Sequence, residues 1–203
     1  MRSGRYFILF LGLAAVWVCQ GCVLIPSRLD LVHRTSAVRC PRPLRVVLQK
    51  ALDQRPQNNR IGVKKNGYGM DMANIYIDDS SGGVANWLTV GLRKQFTKSG
   101  IEVLPATEGM ARDFPSVTAV VKEFFVEPTV GFTIGVHSLV LVELMAEFPD
   151  GRRFARLFKG YVKDNGMVVT DSDYVEGLES AAADVFRKGA QTLCTLLSRE
   201  TVR

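Results

Sequence analysis

The fold is decided by a stretch that reads GVHSLVLVELMAEFPDGR from Gly135 to Arg152. Its apolar residues include several that are β-branched, which is typical of a strand. An Asp-Gly pair between two apolar runs is a strong hairpin signal. With Asp150 and Gly151 as the two turn residues, Phe148 is expected to pair with Arg153. The sequence therefore predicts a long antiparallel hairpin.

The same register predicts which side chains share a face, because alternate residues of a strand point the same way. The expected core face carries Val140, Val142, Leu144, Ala146, Phe148, Ala155 and Leu157. The expected outer face carries Glu143, Met145, Glu147, Phe154, Arg156 and Phe158. Large apolar groups mixed with charges are more typical of an interaction patch than of a solvated surface. We predict a partner-binding face here, with coverage by the protein's own chain as the alternative.

The rest of the pattern predicts an α+β domain, with a mixed or antiparallel sheet and two main helices. Predicted strands occupy 44–52, 60–64, 73–77, 101–104 and 116–126. Apolar residues at a spacing of four from Val84 to Phe96, closed by Ser99-Gly100, predict an amphipathic helix. A longer stripe from about Tyr174 to Leu197 predicts a C-terminal helix. About 180 residues beyond the N-terminal segment suit one domain.

The N-terminus has the three parts of a secretory signal peptide. A basic start precedes an apolar run from Tyr6 to Val18, and Gly21 stands before Cys22. The apolar run falls short of the roughly 20 residues that a membrane-spanning helix needs. Gly21-Cys22 resembles the end of the bacterial lipoprotein signal, although Cys19 stands where Leu is usual. The resemblance implies a signal peptide over 1–21 and lipidation of Cys22.

Residues 22–43 have no sustained periodicity and contain several prolines, so we interpret them as a tether before a domain over 44–203. The alternative is that the apolar residues of this segment pack on the domain or lie in the membrane interface: Val23, Leu24, Ile25, Leu29, Leu31 and Val32. An exported protein meets an oxidising compartment, in which disulfides persist.

Cys40 and Cys194 are therefore a candidate disulfide. The alternative is that Cys194 is a small buried hydrophobic residue.

A second resemblance concerns the domain. Asp53-Gln-Arg55 after the first strand, Gly62 in the next strand, and a helix that closes at Gly100 before an apolar strand resemble YajG-type lipoproteins of Gram-negative bacteria. The similarity spans roughly 44–161. It implies an outer-membrane lipoprotein with a compact α+β domain, in a family whose molecular role is largely undefined. Val23 offers no acidic retention signal for the inner membrane, so we expect an outer-membrane anchor with the domain facing the periplasm.

Few residues suit catalysis. The chain has two histidines, His33 in the expected tether and His137 in a strand, and no G-x-S-x-G motif. Glu143 and Glu147 would lie about 13 Å apart along one strand face, beyond glycosidase spacing. We therefore expect a non-catalytic binding or assembly factor with no cofactor and no metal. An envelope hydrolase with an unrecognised site is the alternative.

Two kinds of polar contact remain. Asp53 and Arg55 are expected to hold a turn by a local ion pair, with an exposed Arg55 binding an anion as the alternative. The expected partners are the membrane, through the lipid at Cys22, and an envelope protein, glycan or lipid. Nucleic acid is not expected, because no basic helix or basic-aromatic alternation occurs.

Overall fold

The computed structural model describes residues 24–57, 59–107, 113–131, 134–166 and 168–200. Over these ranges the chain forms one α+β domain, as predicted. The strands are β1 (Ser27–Leu29), β2 (Leu44–Leu48), β3 (Leu52–Asp53), β4 (Arg60–Lys65), β5 (Asp71–Ile77), β6 (Ile101–Leu104), β7 (Ser116–Thr129), β8 (Ile134–Glu147) and β9 (Arg153–Gly166). The helices are α1 (Gly83–Lys98) and α2 (Asp171–Glu200). No helix within the described ranges is both long and apolar enough to cross a membrane.

The nine described strands form one mixed sheet around β7. On one side β7, β8 and β9 make an antiparallel meander. On the other side β2, β3 and β4 pair in parallel with successive segments of β7, at Val117, Val120 and Val126. β6 adds to β2 in parallel, while β5 pairs antiparallel with β4 and carries β1 on its far edge. β9 is therefore a long edge strand.

Both helices pack on one face of this sheet. Trp87 of α1 lies edge-on to Phe124 of β7, with ring centroids 5.5 Å apart, and contacts Phe186 of α2 at 5.9 Å. A Cβ added at Gly91 would lie 2.5 Å from the Phe186 ring, and one added at Gly160 would lie 1.9 Å from the Ala181 carbonyl oxygen. These glycines let α1, α2 and β9 approach closely. The helices leave the other face of β7–β9 uncovered.

The β8–β9 turn differs from the predicted one by one residue. The Phe148 N–H donates to the Arg152 carbonyl at 2.9 Å, and the Gly151 N–H donates to the Phe148 carbonyl at 2.9 Å. Pro149, Asp150 and Gly151 therefore form a three-residue loop, with Gly151 at a φ of 84°. Proline favours the second position of a type I turn, and a left-handed residue after that turn is typical of such loops. The prediction of a two-residue loop is wrong.

One extra loop residue moves every β9 side chain to the opposite face. The β8 members of the predicted core face are buried as expected: Val140, Val142, Leu144, Ala146 and Phe148. On β9, Phe154 pairs with Ala146 and Phe158 pairs with Val142, so these rings turn toward the helices. Phe158 is 5% exposed, whereas Leu157 is 53% exposed. The core assignments of Ala155 and Leu157 are therefore wrong.

Residues 27–40, which we call the strap, belong to the folded domain. β1 pairs in parallel with β5, and Leu29 and Leu31 are buried. Val32 stays exposed. The tether interpretation is wrong for this stretch, and the alternative of local packing holds for Leu29 and Leu31. The domain accordingly begins at β1 and not at Leu44.

The strap runs alongside α2 in the same direction. Ser27 Oγ donates to Asp171 at 2.6 Å, and the Val32 N–H donates to Glu179 at 2.7 Å. Cys40 is then joined to Cys194 by a disulfide with a Cα–Cα distance of 5.1 Å. These three contacts follow one another in the same order along the strap and along α2. They attach the strap to α2 from the start of the helix to near its end.

Candidate functional site

The six residues predicted to form one partner-binding face lie on two faces. Glu143, Met145 and Glu147 of β8 lie on the sheet face that the helices leave uncovered. The three predicted β9 residues, Phe154, Arg156 and Phe158, lie on the helix side, because the β8–β9 loop is one residue longer than predicted. The predicted face therefore does not exist as a unit.

The uncovered face of β8 and β9 still carries a mixed patch, which we call the open face. Its apolar residues are Leu139, Leu141, Met145, Leu157 and Tyr161. Met145, Leu157 and Tyr161 are 37%, 53% and 47% exposed. The apolar side chains are adjacent because β8 and β9 pair in register, with Leu139 opposite Tyr161.

Two ion pairs lie on the open face. Glu143 accepts a contact from Lys122 Nζ at 3.2 Å, and Glu147 is 3.0 Å from Arg153 Nη2. These groups are partly exposed, so each pair contributes little to stability. They separate and frame the apolar residues, which suits a polar rim around an apolar centre. Sequence reasoning missed Arg153, Leu157 and Tyr161, although Pro149 before Asp-Gly was the signal that would have placed them.

His137 also lies on the open face, where its Nε2 contacts the Tyr161 hydroxyl. The two rings meet edge to face, with centroids 4.9 Å apart. Its cross-strand neighbours are Lys163 on β9 and Glu127 on β7, and the Glu127 carboxylate is already paired with Lys65 at 2.5 Å. Ser138 is fully buried beside Gly177 of α2, out of reach of a substrate. This geometry does not build a nucleophile, base and orienting acid.

On the helix side, Phe154, Arg156 and Phe158 line a groove of about 650 Å³ between β9 and the C-terminal half of α2. Lys188 and Gln191 line its other wall. The Arg156 guanidinium lies 5.6 Å from the Phe158 ring centroid, within range of a cation–π contact. The protein's own helix thus covers most of the aromatic surface that the sequence placed outside.

Arg55 is a structural residue. It is 7% exposed, and its Nε and Nη2 donate to the two Asp53 carboxylate oxygens at 2.9 and 2.7 Å. Its Nη1 donates to the carbonyls of Arg60 and Phe124 at 3.0 and 3.1 Å. The bidentate pair fixes the turn after β3 and ties it to β4 and β7. The local ion pair is as predicted, and the alternative of an anion contact at Arg55 is wrong.

A buried carboxylate that sequence reasoning missed holds the strap. Glu179 is 2% exposed and accepts from the Val32 N–H and from Arg34 Nε, both at 2.7 Å. The hydrogen bond with Glu179 raises the pKa of the Arg34 guanidinium. A buried charge is tolerated when it is paired and hydrogen-bonded, as Glu179 is here. No period or motif marks Glu179, because its partners lie far away in the sequence.

His33 occupies the next position in the strap. Its ring stacks on Trp87 with centroids 4.5 Å apart, and its Nε2 donates to the Trp87 carbonyl at 2.8 Å. Burial lowers the pKa of His33, and nearby Lys94 lowers it further. The Trp87 indole in turn donates to the Leu31 carbonyl at 2.8 Å. The His33 ring and the Trp87 indole therefore pack the strap against α1.

Within the described ranges, no group of three or more His, Cys, Asp or Glu side chains is placed to hold a metal ion. Before α1, Asp78 caps a short 3-10 helix (Asp79–Ser81) by accepting from the Ser80 N–H at 2.9 Å, and Gly82 then leads into α1. Cys22, the predicted lipidation site, and the predicted signal peptide lie outside the described residues. The open face is therefore the candidate functional surface.

Comparisons with known proteins bear on the fold. No family model matches the chain, and no curated protein matches it. Among solved structures, the chain is similar to protein XCC0632 from Xanthomonas campestris, of family DUF330, at 11% sequence identity and a TM-score of 0.59 over 88% of this chain and 100% of that one. An uncharacterized protein matches at 13% identity and a TM-score of 0.49 over 83% and 98% of the two chains. The chain has the fold of the DUF330 protein XCC0632.

Proposed function

We propose that the protein is a lipid-anchored lipoprotein of the outer membrane, related to the YajG type, whose domain acts in the periplasm as a non-catalytic binding or assembly factor. The anchor would be an acylated Cys22. The signal-like segment before it and the Cys40–Cys194 disulfide both suit an exported protein. The fold shared with a DUF330 protein is compatible with this role.

The observation that carries the binding role is the open face. A sheet covered by helices on one side only leaves Met145, Leu157 and Tyr161 partly exposed among paired charges. Met and Tyr are enriched at protein interfaces, and a rim of charge around an apolar centre is typical of them. We infer that the partner is an envelope protein that packs on this face.

The test is site-specific photocrosslinking of the full-length protein in its own envelope. A photoreactive amino acid replaces Leu157 on the open face or, as the matched control, the adjacent Arg156 on the groove side. The expected result is one recurrent protein adduct from position 157 and none from position 156. A Cys22→Ala version carrying the position-157 probe should leave the membrane fraction and lose the adduct.

Other outcomes count against the proposal. Equal adducts from positions 156 and 157 would show that the open face is not the binding surface. A Cys22→Ala protein that stays in the membrane fraction would remove the lipid anchor.

A further inference from the structure

One end of the sheet carries a cluster of large exposed apolar side chains. Twelve such side chains occur within the described ranges. Five lie at this end, on the β4–β5, β7–β8 and β9–α2 connections or, for Ile134, on the first residue of β8: Tyr68, Met70, Val130, Ile134 and Val168. We call them the loop end. Two more, Leu24 and Ile25, belong to the chain that enters β1.

The three connections meet in space. A cavity of about 580 Å³ is lined by residues from all of them, including Gly67, Val130, Ile134 and Val168. The sheet topology explains the meeting, because β4 and β7 run in parallel and end together, while β8 begins and β9 ends beside them. Tyr68 is 90% exposed, and Val168 on the cavity wall is 72% exposed.

The chain enters the domain at the same end. β1 runs parallel to β5 with Ser27 opposite Ile75, so the residues before Ser27 lead back toward the start of β5 and its turn. Ser27 is also bonded to Asp171, which lines the cavity. Cys22 precedes Ser27 by five residues, and a chain of that length spans at most about 17 Å. An acylated Cys22 would therefore hold Ser27 within about 17 Å of the bilayer surface.

We propose that the loop end rests on the bilayer that holds the anchor, with Tyr68, Met70 and Val168 entering the interfacial layer. This inference rests on the lipid anchor of the proposed function. Tyrosine favours the membrane interface, because its ring is apolar and its hydroxyl stays hydrated. β8 spans 14 residues, or about 45 Å, so its far end and the β8–β9 turn point away from the membrane.

The attraction is apolar and not electrostatic. The two lysines that line the cavity are already paired, Lys64 with Asp171 at 3.2 Å and Lys65 with Glu127 at 2.5 Å. With their charge balanced locally, they add little attraction for anionic headgroups. Contact with the bilayer should therefore persist in zwitterionic lipid and at high salt, which screens charge.

The test uses tryptophan as a depth probe in the mature acylated protein. The sequence has two tryptophans, of which Trp17 would leave with the signal and Trp87 is 3% exposed, so the Trp87 emission is out of reach of lipid quenchers and is subtracted using the wild type. Tyr68→Trp and Met70→Trp report the loop end, and Leu157→Trp on the open face is the matched control. Each variant should melt as the wild type does, since all three sites are exposed. The proteins are reconstituted in phosphatidylcholine vesicles that contain lipid brominated on its acyl chains.

We expect the emission of the introduced tryptophan in Tyr68→Trp and Met70→Trp to lie at shorter wavelength than in Leu157→Trp. Most of that emission should be quenched by the brominated lipid. Leu157→Trp should keep its emission, and the pattern should be the same in high salt. If the proteins float with the vesicles but positions 68 and 70 are not quenched, or are quenched only as much as position 157, the loop-end inference is wrong while the anchor stands. Quenching that requires added anionic lipid overturns the apolar mechanism. Wild-type protein that does not float overturns the anchor and this inference together.

Discussion

At the residue scale, His33 shows how the strap depends on protonation. Its pKa lies below the ordinary value of about 6.5 because burial disfavours the charged ring and Lys94 adds repulsion. The unfolded chain therefore binds a proton at a higher pH than the folded protein does. Neutral His33 contributes its full stabilisation when the pH is above the pKa of His33 in the unfolded chain. This contribution is lost as the pH falls through the lower pKa of His33 in the folded protein.

A His33→Gln variant tests this expectation. The wild type should melt at a higher temperature than the variant at pH 8, and the difference should shrink as the pH falls below about 6.5. The carboxylates that titrate at lower pH are the same in both proteins. The difference in melting temperature between the wild type and the variant therefore reports on His33. Melting curves by circular dichroism from pH 8 to pH 5 give the measurement. Parallel pH profiles would contradict the assigned role.

At the scale of secondary-structure elements, the β8–β9 loop decides which β9 residues are buried. Phe158→Ser should lower the free energy of unfolding by about 3 kcal/mol or more, because Phe158 is 5% exposed under α2. Leu157→Ser should change it by less than about 1 kcal/mol, because Leu157 is 53% exposed. Urea titration of both variants measures the difference. A two-residue turn at Asp150-Gly151 would reverse the order of the two variants.

At the scale of the whole molecule, the disulfide joins residues 154 positions apart and closes most of the domain. Loop-closure entropy sets a ceiling of about 5 kcal/mol, and typical bridges contribute about 2–4 kcal/mol. A double variant, Cys40→Ala with Cys194→Ala, should lose stability in that typical range while keeping its fold. The Glu179 contacts still hold the strap in that variant, so we expect it to stay soluble and compact.

Urea titrations of the double variant and the wild type, with and without reductant, measure this loss. Reductant should lower the stability of the wild type and leave the variant unchanged. Maleimide labelling of both thiols in unreduced, denatured wild-type protein would show that the bridge does not form.

Features that depend on local patterns could be predicted from the sequence. Periodicity located α1, α2 and the long strands, because side-chain spacing follows the geometry of each element. The spacing of Asp53 and Arg55 predicted their ion pair, because the two residues are neighbours in one turn. The β8 core face also followed from alternation alone. These inferences need no knowledge of distant parts of the chain.

Which surface of each element meets another element depends on how distant segments pack. The one-residue difference in the β8–β9 loop exchanged Phe158 for Leu157 on the open face, because strand alternation turns a register error into a change of face. The strap looked like a tether, since its period is broken and its partners, Trp87 and Glu179, lie far along the chain. Burial of Leu29 and pairing of Val32 with Glu179 depend on how α1 and α2 pack together. Such contacts between distant segments leave no periodic signal in the sequence, and the open face and the loop end exist only once the sheet has formed.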